Sequence, residues 1–302
     1  MSSPPLVSLL MPAWRPRQDW LELAVSSALA QQGVDLELIV VDDGSPQPVK
    51  DQLRVFADER LHIERIEHGG YSEACNAAMG LARGRYLRFV DADDYFPPSS
   101  TARLVTLAAN TPYALSYGGV LVCDDLLRPR WRMKTHYEGN VARASLLSRF
   151  NVRPGSLLWS QELVDRTGWM TADPYPSGDW DFIQRASEHA AVRGTRDVVV
   201  WYRRHKTSMT GQRVVPGAAP REIVRRYFDR HPEQIGTWLE RRALAMVDAS
   251  AARLHATRGE PRPAASHLAR ALLRDPLCLA NEFRQVRSVL TGHLERRLRR
   301  RA

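Results

Sequence analysis

The sequence is poor in cysteine and lysine, and it contains no long hydrophobic run. Its three cysteines, Cys75, Cys123 and Cys278, are far apart, so neither a disulfide framework nor a zinc site is predicted and a reducing compartment fits best. No stretch reaches the roughly 18 apolar residues that a membrane-spanning helix requires. The residues before Leu6 include no basic side chain, which argues against a secretory signal peptide. We therefore expect a cytoplasmic protein.

The sequence also has fewer acidic than basic residues. The chain has 43 basic and 34 acidic residues, for a formal net charge of +9, and only three of the basic residues are lysines. Arginines crowd the last twenty positions, where they predict either a solvated helix end or a peripheral contact with the anionic inner face of a membrane. With 44% hydrophobic and 25% charged residues, the composition is that of an ordinary globular chain.

The sequence does contain a short apolar run that ends in three carboxylates. Residues 87–90 predict a buried strand, and Asp91, Asp93 and Asp94 follow it. Open α/β sheets bind ligands at the carboxyl ends of their strands, and converging carboxylates need a proton, an arginine or a metal ion. Such hard oxygen ligands suit Mg²⁺ or Mn²⁺. A turn that caps the next helix explains the same residues equally well.

A βαβ unit is predicted upstream of this strand. Residues 6–11, 20–31 and 36–41 have the patterns of a strand, a helix and a second strand. A right-handed crossover makes the two strands parallel, so Trp14, Asp42 and Asp43 are expected at one sheet edge. Trp14 could be core or a platform for a base. One aspartate is expected to cap the turn, which leaves the other for a base or ribose.

The α/β pattern continues to about residue 212. Residues 124–138 are polar, basic and aromatic, include Lys134, and predict either an exposed hairpin with Pro129 at its turn or a flap that faces an acceptor. The remaining predicted helices are 49–57, 71–82, 101–109, 161–167 and one that starts at Asp179 or Asp181, and the remaining strands lie at 61–66, within 114–123, at 157–159 and at 198–202.

The composition changes after Pro220 to helical runs rich in alanine, leucine and arginine. Residues 243–257 and 263–274 resemble one helix pair of the tetratricopeptide type, which is too short for an independent array. We therefore expect two domains, an α/β domain at 1–214 and a helical region at 215–302. The helical region is expected to pack on the first domain or on another subunit, so a homo-oligomer remains open.

Several motifs, taken together in this order, resemble those of family-2 nucleotide-sugar glycosyltransferases. The similarity covers about residues 5–212. It implies a GT-A fold, a Rossmann-like and mostly parallel sheet flanked by helices, here with a C-terminal α-helical extension. It also implies inverting transfer of a sugar, with UDP as the expected nucleotide. The motifs are residues 7–12, 37–45, 70–76 and 89–94, followed by 178–181 and 202–205.

The resemblance implies a nucleotide subsite at the ends of the first strands. Trp14 replaces a more usual tyrosine or asparagine, and this bulkier platform puts the position of the base in doubt. Asp43 or Asp42 is expected to bond uracil or ribose. The full set that the resemblance assigns to the nucleotide is Pro12, Ala13, Trp14, Asp42, Asp43, Gly70, Asn76, Asp91 and Ala92.

The resemblance also implies a metal and diphosphate subsite. Asp91 and Asp93 match the family's DxD motif, with Asp93 as the direct ligand of Mn²⁺ or Mg²⁺ and Asp91 on the ribose or a metal-bound water. His205 falls where a side chain can approach the metal or the diphosphate. Arg203 and Arg204 form a cationic exit that would stabilise the departing diphosphate.

Asp179 falls at the position of the family's catalytic base. The usual neighbouring glutamate is replaced by Gly178, so Asp181 remains a second candidate for the base. One base without an enzyme nucleophile suffices for direct displacement. Capping of its own helix is the alternative role for Asp179, and the family position favours the catalytic one.

The expected reaction is a hexosyl or N-acetylhexosaminyl transfer to an acceptor hydroxyl on a glycan, a lipid-linked molecule or a natural product, with no nucleic acid as partner. One alternative is a sugar nucleotidyltransferase, which would release pyrophosphate instead of UDP. The other is a non-catalytic basic protein that binds nucleic acid or a membrane, and its binding to nucleic acid should weaken steeply with salt.

Overall fold

The structure is a computed structural model, and it describes residues 5–109, 111, 113–133, 136–150, 152–171, 177–208 and 218–278. These residues fall into two compact units. The second unit contains residues 146–148, 177 and 218–278, and the first contains the others. The expected boundary at 214/215, Lys134 and the arginine-rich C-terminus lie outside the described residues.

One mixed sheet runs through the first unit. Within the described ranges its order is β3-β2-β1-β4-β8-β5-β9-β7, with β6 paired to β5. The run β3-β2-β1-β4 is parallel, and so is the pair of β5 with β9. The strands are β1 Val7–Ala13, β2 Leu36–Asp43, β3 Leu61–Ile66, β4 Tyr86–Phe89, β5 Leu115–Cys123, β6 Pro129–Met133, β7 Gly139–Asn140, β8 Leu157–Ser160 and β9 Ala191–Arg203.

Helices cover both faces of this sheet. Side chains from α1, α2 and α4 belong to one apolar cluster, and those from α3, α6 and α7 belong to another. Every residue of β1, β2 and β4 is buried, as expected of strands with helices on both faces. The helices of this unit are α1 Gln18–Leu29, α2 Val49–Gln52, α3 Tyr71–Leu81, α4 Ser100–Ala108, α5 Ala142–Leu146 (whose last residue belongs to the second unit), α6 Gln161–Thr167 and α7 Gly178–Ser187.

The elements that differ from the sequence prediction include three in the first unit. Helix α2 has four residues in place of the predicted 49–57, because the chain turns at Leu53 and the N–H of Phe56 bonds to its carbonyl. Strand β9 starts at 191, well before the predicted 198, because its first residues pair with β5 and β7. The hairpin turns at Asp124–Arg128, and Pro129 begins β6.

Over residues 218–278 the second unit forms three long helices, α8 Ala219–Arg230, α9 Trp238–Thr257 and α10 Pro261–Arg274. Buried Asp248 on α9 binds Arg221 of α8 and both His267 and Arg274 of α10. A small apolar cluster, which includes Met246, joins α9 and α10. No helix in the described part of the chain has both the length and the hydropathy needed to cross a membrane.

Candidate active site

The carboxyl ends of β1, β2 and β4 meet at one edge of the sheet. Ala13 pairs with Asp42 across β1 and β2, and Leu10 pairs with Phe89 across β1 and β4. Because these strands are parallel, the loops that leave them start side by side. The sequence prediction placed most of its nucleotide and metal residues at these strand ends, whereas Gly70 and Asn76 follow β3 and His205 follows β9.

Asp91, Asp93 and Asp94 follow β4 in three different environments. Asp94 is buried and accepts a hydrogen bond from the backbone N–H of Arg203 at 2.8 Å. Asp93 Oδ2 lies 2.8 Å from Nε2 of His205. The carboxylate of Asp91 has no hydrogen bond or ion pair with any residue that the structure describes. Asp91 is therefore the member of the motif whose oxygens remain available.

The negative charge at this edge is poorly compensated. Burial, followed by the charges of Asp93 and Asp179, raises the pKa of Asp91 to about 7, and Arg153 acts in the opposite direction. A divalent cation would remove this repulsion. Asp91, Asp93 and His205 offer two hard oxygen ligands and an imidazole, so the donor set fits Mn²⁺ or Mg²⁺. Among the described side chains, no three such ligands are already arranged around a metal position.

Asp42 orders the loop that follows β2. Its carboxylate accepts from the N–H of Ser45 at 2.9 Å and from the N–H of Val49 at 3.1 Å. It also binds Arg65 Nη1 at 2.6 Å. Asp42 therefore has the turn and capping role that the sequence suggested for one member of the pair.

Asp43 fixes the glycine-rich approach to α3. Its Oδ1 accepts from the N–H of Gly69 at 2.8 Å, and its Oδ2 lies 2.9 Å from Nδ1 of His68 and 3.0 Å from the N of Gly70. Gly70 has a φ of 90°, which strains any residue with a side chain. Both oxygens of Asp43 are thus engaged within the protein, and a nucleotide would share them or compete for them.

Trp14 stands at the surface, 48% exposed, while Pro12 and Ala13 before it are buried. Its ring stacks on His68 with 4.7 Å between centroids and 15° between planes. The guanidinium of Arg15 lies 4.7 Å from the centroid of the same ring. A base that stacks on Trp14 would join or displace these groups.

Asn76 and Ala92 both contact other parts of the fold. The Asn76 side chain donates to the carbonyl of Met170 and accepts from its N–H, both at 2.8 Å. This pair of bonds joins α3 to the segment that precedes α7. Ala92 packs partly buried against the core of the sheet.

Arg203 is engaged by the protein, whereas Arg204 is exposed. Arg203 Nε donates to the carbonyl of Asp93 at 2.6 Å, Nη1 donates to the carbonyl of Asp125, and the guanidinium lies 4.7 Å from the ring centroid of Trp20. Burial lowers the pKa of Arg203. Arg203 therefore holds the loop after β4 against β9. Arg204 lies over the ring of Trp131.

The two candidate bases differ in their hydrogen bonds. Asp181 is 1% exposed and binds Thr171 Oγ1 and Arg185 Nε, both at 2.9 Å. Asp179 Oδ1 accepts only from the N–H of Trp180, at 2.8 Å, among the described residues. Burial raises the pKa of Asp179, and the Trp180 N–H and the charge of Arg153 oppose this shift. Asp179 thus keeps an oxygen without a partner.

A buried arginine beneath the site escaped the sequence prediction. Arg88 on β4 is fully buried and pairs with no carboxylate in the described part of the chain. It donates to the hydroxyls of Ser100 and Thr101 and to the carbonyls of Gly155 and Val199 at distances from 2.7 to 3.3 Å. Burial lowers its pKa to about 9. Arg88 therefore anchors α4, β9 and the turn after Arg153 to the strand that carries the aspartates.

Three further side chains near the site were missed. Trp20 lies edge-on to His205 with 4.6 Å between centroids and also contacts Arg203. Arg153 and Tyr71 share the surroundings of Asp91 and Asp179. The sequence shows these residues only as part of a helix or a turn, because the contacts that matter join distant segments.

The fold is that of the GT-A glycosyltransferases. Residues 1–349 of TarS from S. aureus, in complex with UDP-GlcNAc, superpose with a TM-score of 0.61 at 12% identity, covering 87% of this chain and 90% of that one. Mannosyltransferase PcManGT from Pyrobaculum calidifontis, in complex with GDP-Man and Mn²⁺, gives a TM-score of 0.55 at 18% identity, covering 92% and 88%. The predicted α/β fold class is confirmed.

The chain belongs to glycosyl transferase family 2, whose family model matches residues 8–172. A similar curated protein is the putative teichuronic acid biosynthesis glycosyltransferase TuaG of Bacillus subtilis. It is 34% identical over 118 residues, which are 38% of this chain and 46% of TuaG. The chain spans less than half the length of the first curated relatives that it matches. The family prediction is confirmed.

Proposed function

We propose that the protein is an inverting glycosyltransferase that moves a sugar from a UDP-sugar to an acceptor hydroxyl on a glycan, a lipid-linked molecule or a natural product. The observation that carries this proposal is the pair Asp91 and Asp179, whose carboxylates have oxygens without partners among the described residues. The charge of Asp179 contributes to the raised pKa of Asp91, and the charges of both aspartates contribute to the raised pKa of Tyr71. The UDP-GlcNAc complex of TarS supports a UDP-sugar donor.

The side chains at the sheet edge have different roles in this proposal. Trp14 and the loop held by Asp43 receive the nucleotide. Asp93, with Asp91 and His205, would hold Mn²⁺ or Mg²⁺, which when bound neutralises charge on the diphosphate. Arg204, on the exit from β9, would turn from the ring of Trp131 toward the diphosphate as it leaves.

Asp179 acts as the base that accepts the proton of the acceptor hydroxyl. Burial raises the pKa of Asp179 toward neutral pH. A general base whose pKa is closer to the working pH accepts the proton more readily in a direct displacement. Asp181 positions α7 through Thr171 and Arg185. Gly178 takes the place of the family's usual glutamate, and a Cβ there would collide with Ser72 Oγ. Ser72 therefore leaves little room for a second carboxylate next to Asp179.

Asp179→Asn tests this assignment. The variant should bind UDP with Mn²⁺ as the wild type does, measured by calorimetry, and should lose transfer by a factor of roughly 100 or more, because a general base contributes about 10²–10⁴-fold. Asp197→Asn is the control, since Asp197 is an exposed partner of Arg103. Wild-type turnover of the Asp179→Asn variant would contradict the assignment.

The alternatives predict different products and partners. A sugar nucleotidyltransferase would release pyrophosphate from a nucleoside triphosphate and a sugar phosphate, whereas the proposed enzyme releases UDP. A protein that binds nucleic acid would hold it tightly at low salt and release it steeply as salt rises. Screening UDP-sugars with Mn²⁺ for thermal stabilisation and for UDP release separates the three. Cytoplasmic location, a peripheral membrane contact and self-association remain proposals.

A further inference from the structure

Arg153 is held in place beside the carboxylates of the site. It immediately precedes a 3₁₀ turn, Pro154–Ser156, whose Gly155 carbonyl accepts two hydrogen bonds from Arg88 on β4. The Arg153 guanidinium lies 5.1 Å from the centroid of the Tyr202 ring on β9. The turn and the ring therefore fix this cation between the ends of β4 and β9.

The Arg153 guanidinium donates no hydrogen bond to any residue that the structure describes. Its Nε is buried and has no hydrogen-bond partner, and no carboxylate of the described residues forms an ion pair with Arg153. Its charge nevertheless acts on both Asp91 and Asp179. A buried donor without a partner destabilises the protein, and an acceptor atom supplied by a ligand would remove this cost.

Tyr71 presents a second unused donor to the same carboxylates. Its hydroxyl is buried beside the Cys75 thiol and has no acceptor in hydrogen-bond geometry among the described residues. The close approach of Ser72 to Gly178 places the first turn of α3 against the first turn of α7. Tyr71 on α3 and Asp179 on α7 are therefore close in space although they are far apart along the chain.

The sheet order separates Arg153 from the nucleotide residues expected at the ends of β1 and β2. Those strands lie on one side of β4, whereas the turn after Arg153 leads into β8 on the other side. Tyr71 follows β3 and therefore belongs to the side of β1 and β2. Arg203 is engaged with backbone carbonyls. Arg153 is therefore a positioned cation on the side of β4 away from β1 and β2 whose side chain is not engaged with backbone carbonyls of the described residues.

We propose that Arg153 and Tyr71 form an acceptor subsite for an oxyanion, a phosphate or carboxylate group that the acceptor carries near the hydroxyl to be glycosylated. This inference rests on the proposed function. The planar guanidinium matches the geometry of both oxyanions, and the phenol adds a third donor. Without this cation the nearby aspartates would repel an anionic acceptor.

The test measures binding by calorimetry to the full chain with saturating UDP and Mg²⁺. The probes are glycerol 3-phosphate, glucuronate and, as neutral control, methyl glucoside. The wild type should bind one or both anions and not the neutral sugar, and the preferred probe identifies phosphate or carboxylate as the natural group. Arg153→Gln should weaken anion binding by roughly tenfold or more, the usual effect of losing a charge-assisted hydrogen bond. Tyr71→Phe should weaken it less.

Two features keep the test specific. Arg166→Gln is the matched control, because Arg166 is an exposed arginine that lies 5.2 Å from the ring centroid of Tyr113 on the surface. Tyr71→Phe removes only an unsatisfied hydroxyl, so unfolding by heat should show no loss of stability. A purely structural role of Tyr71 would leave anion binding unchanged in this variant.

The outcomes separate the inference from the function on which it rests. If the wild type binds UDP with metal but neither anion, or if Arg153→Gln weakens UDP and leaves anion binding intact, the acceptor subsite is wrong while the proposed function stands. If the wild type fails to bind UDP with any divalent metal and releases none from UDP-sugars, the proposed function fails first.

Discussion

Individual aspartates in the first unit divide into those that hold the fold together and those whose oxygens remain unpaired. Asp42, Asp43, Asp94 and Asp181 accept hydrogen bonds from named donors. Asp91 has none among the described residues, and Asp179 accepts only from the adjacent N–H. Unpaired and partly buried carboxylates lower the stability of the fold, which is a common property of functional sites.

Asp91 should therefore destabilise the metal-free protein at neutral pH. Its pKa of about 7 lies above the ordinary 3.8, so between these values the folded state binds the proton more tightly than the unfolded state. Stability consequently falls as pH rises toward 7, and the cost is fully present above it. Asp91→Asn removes the cost and should raise the free energy of unfolding above pH 7 by on the order of 2 kcal/mol, measured by denaturant titration with chelator.

The gain in Asp91→Asn should shrink toward pH 4, because Asp91 is then protonated in the folded wild type. Asp197→Asn, which removes an exposed charge, should change stability little at any pH. A loss of stability in Asp91→Asn above pH 7 would show that the carboxylate has a stabilising partner.

At the scale of elements, Arg88 connects β4, the strand that precedes Asp91, to three other segments. Arg88→Met should lower the free energy of unfolding by roughly 2–4 kcal/mol, because the carbonyls of Gly155 and Val199 lose their donor inside the protein. Chemical denaturation measures the change. Arg85→Met is the matched control, since exposed Arg85 lies over the ring of Tyr86. Equal effects of the two substitutions would show that Arg88 is not an anchor.

Local patterns were sufficient to predict most elements of the parallel half of the sheet. Strand β3 and helix α6 have the predicted bounds, because apolar periodicity and flanking turn residues coincide there. Strand β1 continues two residues past the predicted end at Met11, since Pro12 lacks only an N–H and its register with β2 is kept. The long β9 depends on partners from other segments, which no local pattern shows.

The candidate site residues stay predictions, and they have the same limit. Motif spacing selected Asp91, Asp93, Asp179 and His205, and the structure pairs Asp93 with His205. Spacing could not show that Arg203 is occupied by backbone carbonyls. Such facts depend on contacts between residues that are distant along the chain.

At the scale of the whole molecule, the helical unit depends on one buried carboxylate. Asp248 is surrounded by Arg221, His267 and Arg274, and Arg270 Nε lies 3.5 Å from it. Burial opposes its ionisation, but the hydrogen bonds from His267 and Arg221 and the charges of Arg221 and Arg274 outweigh this effect and lower the pKa of Asp248. Its contribution to stability is therefore present above pH 4 and is lost as pH falls below the ordinary value of 3.8.

We propose the boundary at 214/215 as a domain boundary, and Asp248→Asn tests it. The substitution leaves the surrounding cations without their carboxylate, which should cost the helical unit roughly 3–5 kcal/mol and reduce the helical circular dichroism on mild heating. If the α/β unit folds independently, binding of UDP with Mn²⁺ should remain unchanged under the same conditions. Glu222→Gln is the control, because Glu222 binds only surface arginines of its own helix. Loss of UDP binding together with the helical signal would show that the two units fold as one, and the boundary would then have no thermodynamic meaning.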